Sequence, residues 1–460
     1  MSNKMTRNQA IFTSIGTALG LSLATYIGFL IQYAGKGAIL TMLIGFALGT
    51  CYALPYWVVS RKIVLAGGQY GLAAAGISPV FSCVINYVTM MALLIYASNP
   101  LALSTYIVSL YPPLAPYSKW IALASALLCF VIVIAKVTGM GKAQSFFTVA
   151  LLIGMVAYVV FGFVHIAKAG TGDGLGFFDF SQDPIWAENG FGGVLSGIPF
   201  CAGMMGMYSA MLYYGPLVEK PKKNVPLAMR WGMIATGVIW FFAVLVTANV
   251  LPVSQVAGQP LTVVAEAVMP MALAKAFVVL GPIMAILTTY VGNMPGSLEA
   301  AKKMADEGWL PKFMGRTNKD GRPWVAALIF VFFPMVLVLF DIPLTTVQNM
   351  VNLASSPSMI LLAVALFRLP HTAPEVFDDA RFNLLLRIAA LLSFGFGCFN
   401  FVLSARNTNI ATALIVAVIV VALYLFCEYR RKQGKIAQVP ISTYLRSDEE
   451  QPAAPAQEKA

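Results

Sequence analysis

Apolar runs of about twenty residues, separated by Gly, Pro or charged breakers, recur from one end of the chain to the other. A run of that length crosses the roughly 30 Å hydrocarbon core of a bilayer. Inside that core every backbone polar group must find its partner within protein, which restricts spans to helices or closed barrels. The runs are twice the length of a barrel strand, so the chain reads as a helical membrane protein. Only 11% of its 460 residues are charged and 59% are hydrophobic, where a soluble chain carries roughly 25% charged residues. Twelve spans are predicted, at about 10–33, 38–60, 80–110, 118–138, 144–167, 191–215, 227–250, 274–300, 323–340, 345–367, 383–404 and 408–428. The third and eighth exceed the core thickness, implying tilt or extension beyond it. The first run outlasts a signal peptide's apolar region of about 7–15 residues, and no cleavage site follows it.

Lys and Arg accumulate on the cytoplasmic side of membrane proteins. With the N-terminus placed inside, all 30 except Lys36, Lys119, Lys168, Lys275 and Arg406 fall on the inner side. Both termini are therefore expected in the cytoplasm, and the location is an inner or plasma membrane. The net charge of +11 is spread over inner loops, without the basic face and accessible aromatics of a nucleic-acid binder. Six cysteines all fall within spans and form no C-x-x-C pair. They read as small buried apolar residues, and neither metal nor cofactor is implied. The tail beyond Lys435, ending "SDEEQPAAPAQEKA", is Pro/Ala-rich and polar, the composition of a disordered extension.

Two spans carry breakers at mid-membrane. Span one reads "SIGTALGLSLATYIG", Ser14 to Gly28, with Gly16, Gly20 and Gly28. Span six lies in "GVLSGIPFCAGMMGMYSAMLYYG", Gly193 to Gly215, with Gly197, Pro199, Gly203 and Gly206. Irregular backbone at that depth is tolerated only where protein buries it or where it lines a cavity. Spans one and six are five apart and cross in opposite senses, the signature of an inverted repeat with discontinuous first helices. The chain then divides into a cytoplasmic 1–9, a first repeat 10–167 (spans 1–5), an extracellular loop 168–190 and a second repeat 191–367 (spans 6–10). Spans eleven and twelve follow at 383–428, with a cytoplasmic tail at 429–460. A broken helix presents the positive end of one half-helix and the negative end of the other. Such a pair of ends suits the carboxylate and ammonium of a zwitterion. Gly16-x-x-x-Gly20 also fits close helix packing, and that alternative stays open.

The residues resemble a known family, the amino acid–polyamine–organocation transporters. "GTALGLS", Gly16 to Ser22, is similar to the family's first-span G-S-x-I-G-S-G element. "AGGQYGLAAAGISP", Ala66 to Pro79, resembles the P-x-G-G-x-Y loop before span three. "VEKPKKNVPLAMRWG", Val218 to Gly232, resembles the segment after span six, E-x-x-N-P-x-R-x-I-P-x-A. "EAAKKMADEGWLPKFMGRTNKDGRPWVAALI", Glu299 to Ile329, resembles the R-x-x-x-x-M-A-x-D-G-x-x-P-x-x-F loop before span nine. The resemblance implies an all-α polytopic membrane protein of 12 transmembrane helices, with a leucine-transporter-like 5+5 inverted repeat and discontinuous spans 1 and 6. It implies secondary amino acid transport by alternating access, spans 1, 2, 6 and 7 rocking against 3, 4, 8 and 9.

Carried over to this chain, the substrate-binding set is Ala18, Gly20, Leu21 and Ser22 of span one, with Asn293 of span eight. Span six adds Cys201, Ala202, Gly203, Met205, Gly206, Tyr208 and Ser209. In sodium-coupled relatives, span-eight hydroxyls join span-one carbonyls, which places an ion site at Ala18, Thr288 and Thr289. Threonine also bonds back to its own helix, and exchange needs no ion, so coupling stays open. The family's span-six acid falls at Tyr208 or Ser209, and a common Arg falls at Glu299. No acidic residue lies near the middle of a span. An unpaired buried cation is costly, so the expected substrates are neutral or apolar amino acids, in keeping with the soft Met90, Met91, Met204, Met205 and Met207. Aromatic contacts to a cation keep a cationic amino acid or polyamine antiporter as the alternative. Span five lacks a mid-membrane lysine, which removes one proton-coupling device.

Other classes fare worse. A membrane-embedded enzyme needs a nucleophile–base pair or metal ligands at depth, yet the two histidines, His165 and His371, lie near surfaces. No filter or ring of like charge marks a channel. A sensor that binds without translocating shares the same fold. The implied partners are a small amino acid and the bilayer, with a homodimer open through spans eleven and twelve.

Overall fold

The computed structural model describes residues 4–91, 95–135, 137–168, 190–335, 344–434, 436–437 and 439–446. Helix α1 (Arg7–Ala34) starts from a capping box, Thr6 Oγ1 accepting from Gln9 N–H while Gln9 Oε1 accepts from Thr6 N–H. A 3₁₀ turn at Gly35–Gly37 turns the chain into α2 (Ala38–Ser60). A two-residue strand β1 (Val64–Leu65) and α3 (Gln69–Gly76) precede α4 (Pro79–Met91), α5 (Ile95–Leu110), α6 (Ser118–Val133) and α7 (Val137–Lys168). The expected extracellular loop lies, from 169 to 189, outside the described residues.

Helix α8 (Gly190–Ala210) tightens into a 3₁₀ helix at Met211–Leu217. Helix α9 (Pro221–Val250) opens with Pro at its first position, where the missing N–H costs nothing. Short helices α10 (Val253–Val256) and α11 (Leu261–Val268) lead to α12 (Met271–Val278). A π turn around Gly281 and Pro282 joins α12 to α13 (Met284–Asp306). Then come α14 (Trp324–Phe332), α15 (Leu344–Thr372), α16 (Ala380–Thr408) and α17 (Ile410–Lys432). Asp379 and Asn409 cap the last two by accepting from their first-turn N–H groups.

Among the described residues the protein is helical apart from β1 and its antiparallel partner β2 (Leu445–Arg446). Eight stretches among the described residues are long and apolar enough to cross a membrane, from Tyr26–Ser60 to Ile410–Lys432. The shorter apolar helices Pro79–Met90 and Gly190–Cys201 fall where spans three and six are expected. Part of the ninth expected span, 336–340, lies outside the described residues. The count of twelve and the inverted repeat thus remain expectations.

Helix α1 runs through the centre, packed against α7, α8, α9 and α13, while α2 packs against α8, α9 and α16. Phe200 of α8 sits among the rings of Tyr26, Phe29 and Tyr33 of α1, at centroid distances of 5.3, 5.6 and 5.7 Å. Trp240 and Trp309 are wholly enclosed. The outer surface is apolar instead of charged. On α17, Ile410, Leu414 and Val418 are 72%, 62% and 66% exposed, a face that matches lipid as solvent.

Segments near both ends of the described chain pack on the helical body. Met5 bridges the α8–α9 connection, donating to Leu217 O and accepting from Glu219 N–H. Beyond Lys435, where disorder was the expectation, Tyr444 is buried; residues 447–460 lie outside the described part.

Candidate functional site

The decisive local feature is in α1. Gly20 leaves helical geometry, with φ 11° and ψ −142°, so two half-helices meet there at a kink. Its backbone lies flat against α13: a Cβ built on Gly20 would fall 1.5 Å from Thr289 Oγ1. Only glycine fits at that approach. One turn earlier, Gly16 faces Thr148 and Gln144 of α7 and Thr288 of α13, and Thr17 packs on Gly292. At this seam the Thr17 hydroxyl and the Gln144 Oε1 are buried without a hydrogen-bond partner among the described residues, as are the Thr13 hydroxyl on the preceding turn and the Ser14 hydroxyl, which faces Gly232 of α9. Gln144 Nε2 donates to Thr288 O (3.0 Å) and Thr148 Oγ1 to Phe12 O (3.0 Å), tying α7 to both neighbours. An all-oxygen lining of this kind suits an ammonium group, a hard cation or water.

Of the expected binding residues, the structure brings Gly20 and Thr289 together and buries Ala18 beside them. Leu21 and Ser22 lie in the second half-helix; their side chains are outside the described part. The same holds for Ala202, Gly203, Met205 and Gly206, whose backbone continues α8. The helix runs to Ala210 and changes to 3₁₀ only there, later than the break expected at Gly203–Gly206. Glycine permits a break without compelling one, since helical geometry is also open to it at about 1 kcal/mol relative to Ala.

Cys201 packs against Gly45, its thiol donating to Thr41 O at 3.8 Å across the α2–α8 crossing. Tyr208 Oη donates to Thr236 Oγ1 (3.2 Å) of α9. Ser209 Oγ accepts from Gln69 Nε2 (2.6 Å) and Tyr52 Oη (3.4 Å). All three make interhelical contacts. Thr288 and Thr289 both donate to Ala285 O of their own helix, at 2.7 and 3.2 Å. Asn293, one turn on, is half-buried.

Several residues at this site escaped the sequence reading. Tyr213, in the 3₁₀ segment after α8, is wedged between Gly68, whose φ of +56° requires glycine, and Gly296 of α13. Tyr214 Oη donates to Gly292 O at 2.6 Å. Together with Gln69 they close one end of the seam by joining α8 to α3 and α13. Gln69 belongs to the AGGQYG loop, and its pairing with Ser209 spans 140 residues and leaves no local trace.

A family model described as amino acid permease matches residues 7–424, nearly the whole chain. The chain belongs to the amino acid permease family. Its break at Gly20 and the packed α1, α8 and α13 lie within the matched region. A relative named probable amino-acid permease meu22, from Schizosaccharomyces pombe, is 21% identical over 339 residues, covering 70% of this chain. The chain spans 58% of the length of that relative. Family and relative alike concern amino acid transport, and the apolar helices make the chain a multi-pass membrane protein.

Proposed function

We propose that the protein is a secondary amino acid transporter working by alternating access, with neutral or apolar amino acids as substrates. The observation that carries this reading is the interruption of a buried central helix at Gly20, beside an oxygen-lined seam. The two half-helix ends would hold the substrate's ammonium and carboxylate, with Asn293 and the Gly203–Gly206 stretch of α8 completing the site. Twelve spans, a 5+5 repeat and cytoplasmic termini belong to the same reading. It is supported by the packing of α1 and α2 against both α8 and α9, and of α1 against α13. Transport is by exchange or by ion coupling. For the latter, Thr288, Thr289 and Ala18 are the candidate ligands, the threonines turning from Ala285 O to the ion.

The test is uptake of a labelled amino-acid panel into proteoliposomes, with and without unlabelled substrate inside, and with sodium or proton gradients imposed. A neutral amino acid carried at a rate that Gly206→Leu abolishes is the expected result. Uptake of only arginine, ornithine or a polyamine would replace the substrate class. Saturable binding with no flux in any condition would make the protein a sensor.

A further inference from the structure

The C-terminal segment crosses from one side of the proposed moving interface to the other. Arg430 Nη2, at the end of α17, donates to Gly308 O (2.9 Å), and Ala437 N–H donates to Glu307 O (3.1 Å), laying the chain along the end of α13. It then reaches β1, which directly follows α2, pairing Leu65 with Leu445 and Val64 with Arg446; Ala66 N–H donates to Tyr444 O at 2.9 Å. Under the proposed mechanism α2 belongs to the rocking bundle and α13 to its counterpart. The segment is fastened to both.

Tyr444 is the fastening. Its ring is 1% exposed, lies 6.2 Å from that of Tyr70 and takes the Lys303 ammonium 5.4 Å from its centre. Its hydroxyl donates to Glu307 Oε1 (2.9 Å), while the Tyr70 hydroxyl donates to Oε2. Burial pushes the Glu307 carboxyl above its usual range; the two phenols and Lys303, 3.7 Å away, draw it back. A buried carboxylate stripped of all partners would be costly. Here Tyr70 and Lys303 stay with Glu307 when Tyr444 departs, so the segment can leave without stranding the charge. That is the arrangement of a contact built to open.

We propose that residues 439–446 form an autoinhibitory strap, which must lift from β1 and Glu307 before the cytoplasmic side of the transporter opens. The inference rests on the transport reading above. The test uses the full chain in proteoliposomes, loaded with whichever amino acid the wild type carries. A Leu65→Cys/Leu445→Cys variant, oxidised with copper phenanthroline, is expected to lose at least tenfold in uptake and to regain it on reduction. Each single cysteine variant should stay near the wild-type rate. Tyr444→Phe, which keeps the ring but not the donor, is expected to raise the initial rate two- to fivefold.

Undiminished uptake by the cross-linked protein, with the cross-link verified by mass spectrometry, would overturn the strap and leave transport standing. If the double variant is inactive even when reduced, Tyr444→Phe decides, an unchanged rate overturning the proposal. A wild type that carries no amino acid would overturn both readings.

Discussion

Gly20 is where residue identity and function meet most tightly. An added methyl would collide with Thr289 Oγ1 and approach its Cβ at 2.8 Å. Gly20→Ala is therefore expected to destabilise the protein by about 1–3 kcal/mol, the usual scale of overpacking, and to abolish uptake. Removing the obstacle should help: Gly20→Ala/Thr289→Ala is expected to recover part of the lost thermal stability, with a coupling of at least roughly 0.5 kcal/mol. Additive effects in a thermal-shift cycle would show that the two positions are not coupled. The break itself was legible, because breakers at mid-span have few uses in hydrocarbon. The roles of Tyr208 and Ser209 were not. Their partners, Thr236, Gln69 and Tyr52, come from other helices, and tertiary pairing of that range writes nothing into the local sequence.

At the scale of elements, the α8–α9 connection closes one end of the seam. Tyr213 between Gly68 and Gly296, and Tyr214 on Gly292 O, join the proposed bundle to α3 and α13. Tyr214→Phe removes one hydrogen bond, worth about 1 kcal/mol net, which shifts a two-state equilibrium roughly fivefold. The shift is read by maleimide labelling of Ser209→Cys, a position shielded in the structure. Labelling should accelerate several-fold when Tyr214→Phe is added, and equal rates would show that Tyr214 does not hold the closure. Helix existence was readable here: the apolar runs mark α2, α16 and α17 within a few residues, while α7 and α9 begin six or seven residues earlier than their runs and the run at 274–300 covers α12, the π turn and most of α13. Helix geometry was not: the glycines of α8 suggested a break at 203–206, whereas the regular helix continues to Ala210. Glycine lowers the cost of a kink, but neighbouring helices decide whether one forms.

For the whole molecule, the bilayer is half of the packing. Helix α17 touches the body mainly through α4 and α16 and turns Val418 outward. On a water-facing surface Val418→Arg would change stability by less than about 0.5 kcal/mol. At the centre of a span the same change costs roughly 3 kcal/mol, so the yield of inserted, folded protein is expected to fall several-fold. Unchanged insertion would move α17 out of the lipid. The strap also has a consequence in terms of populations. It is held by the buried Tyr444 ring, a two-residue ladder, the Ala66 N–H bond to Tyr444 O, one phenol–carboxylate bond and one cation–ring contact, the polar contacts each worth about 1 kcal/mol. Ordering the segment returns on the order of 1 kcal/mol per residue to the released state. The two sides oppose each other closely, so strapped and released molecules coexist. That balance turns the strap from a lock into a governor, set by whatever touches this short stretch of tail.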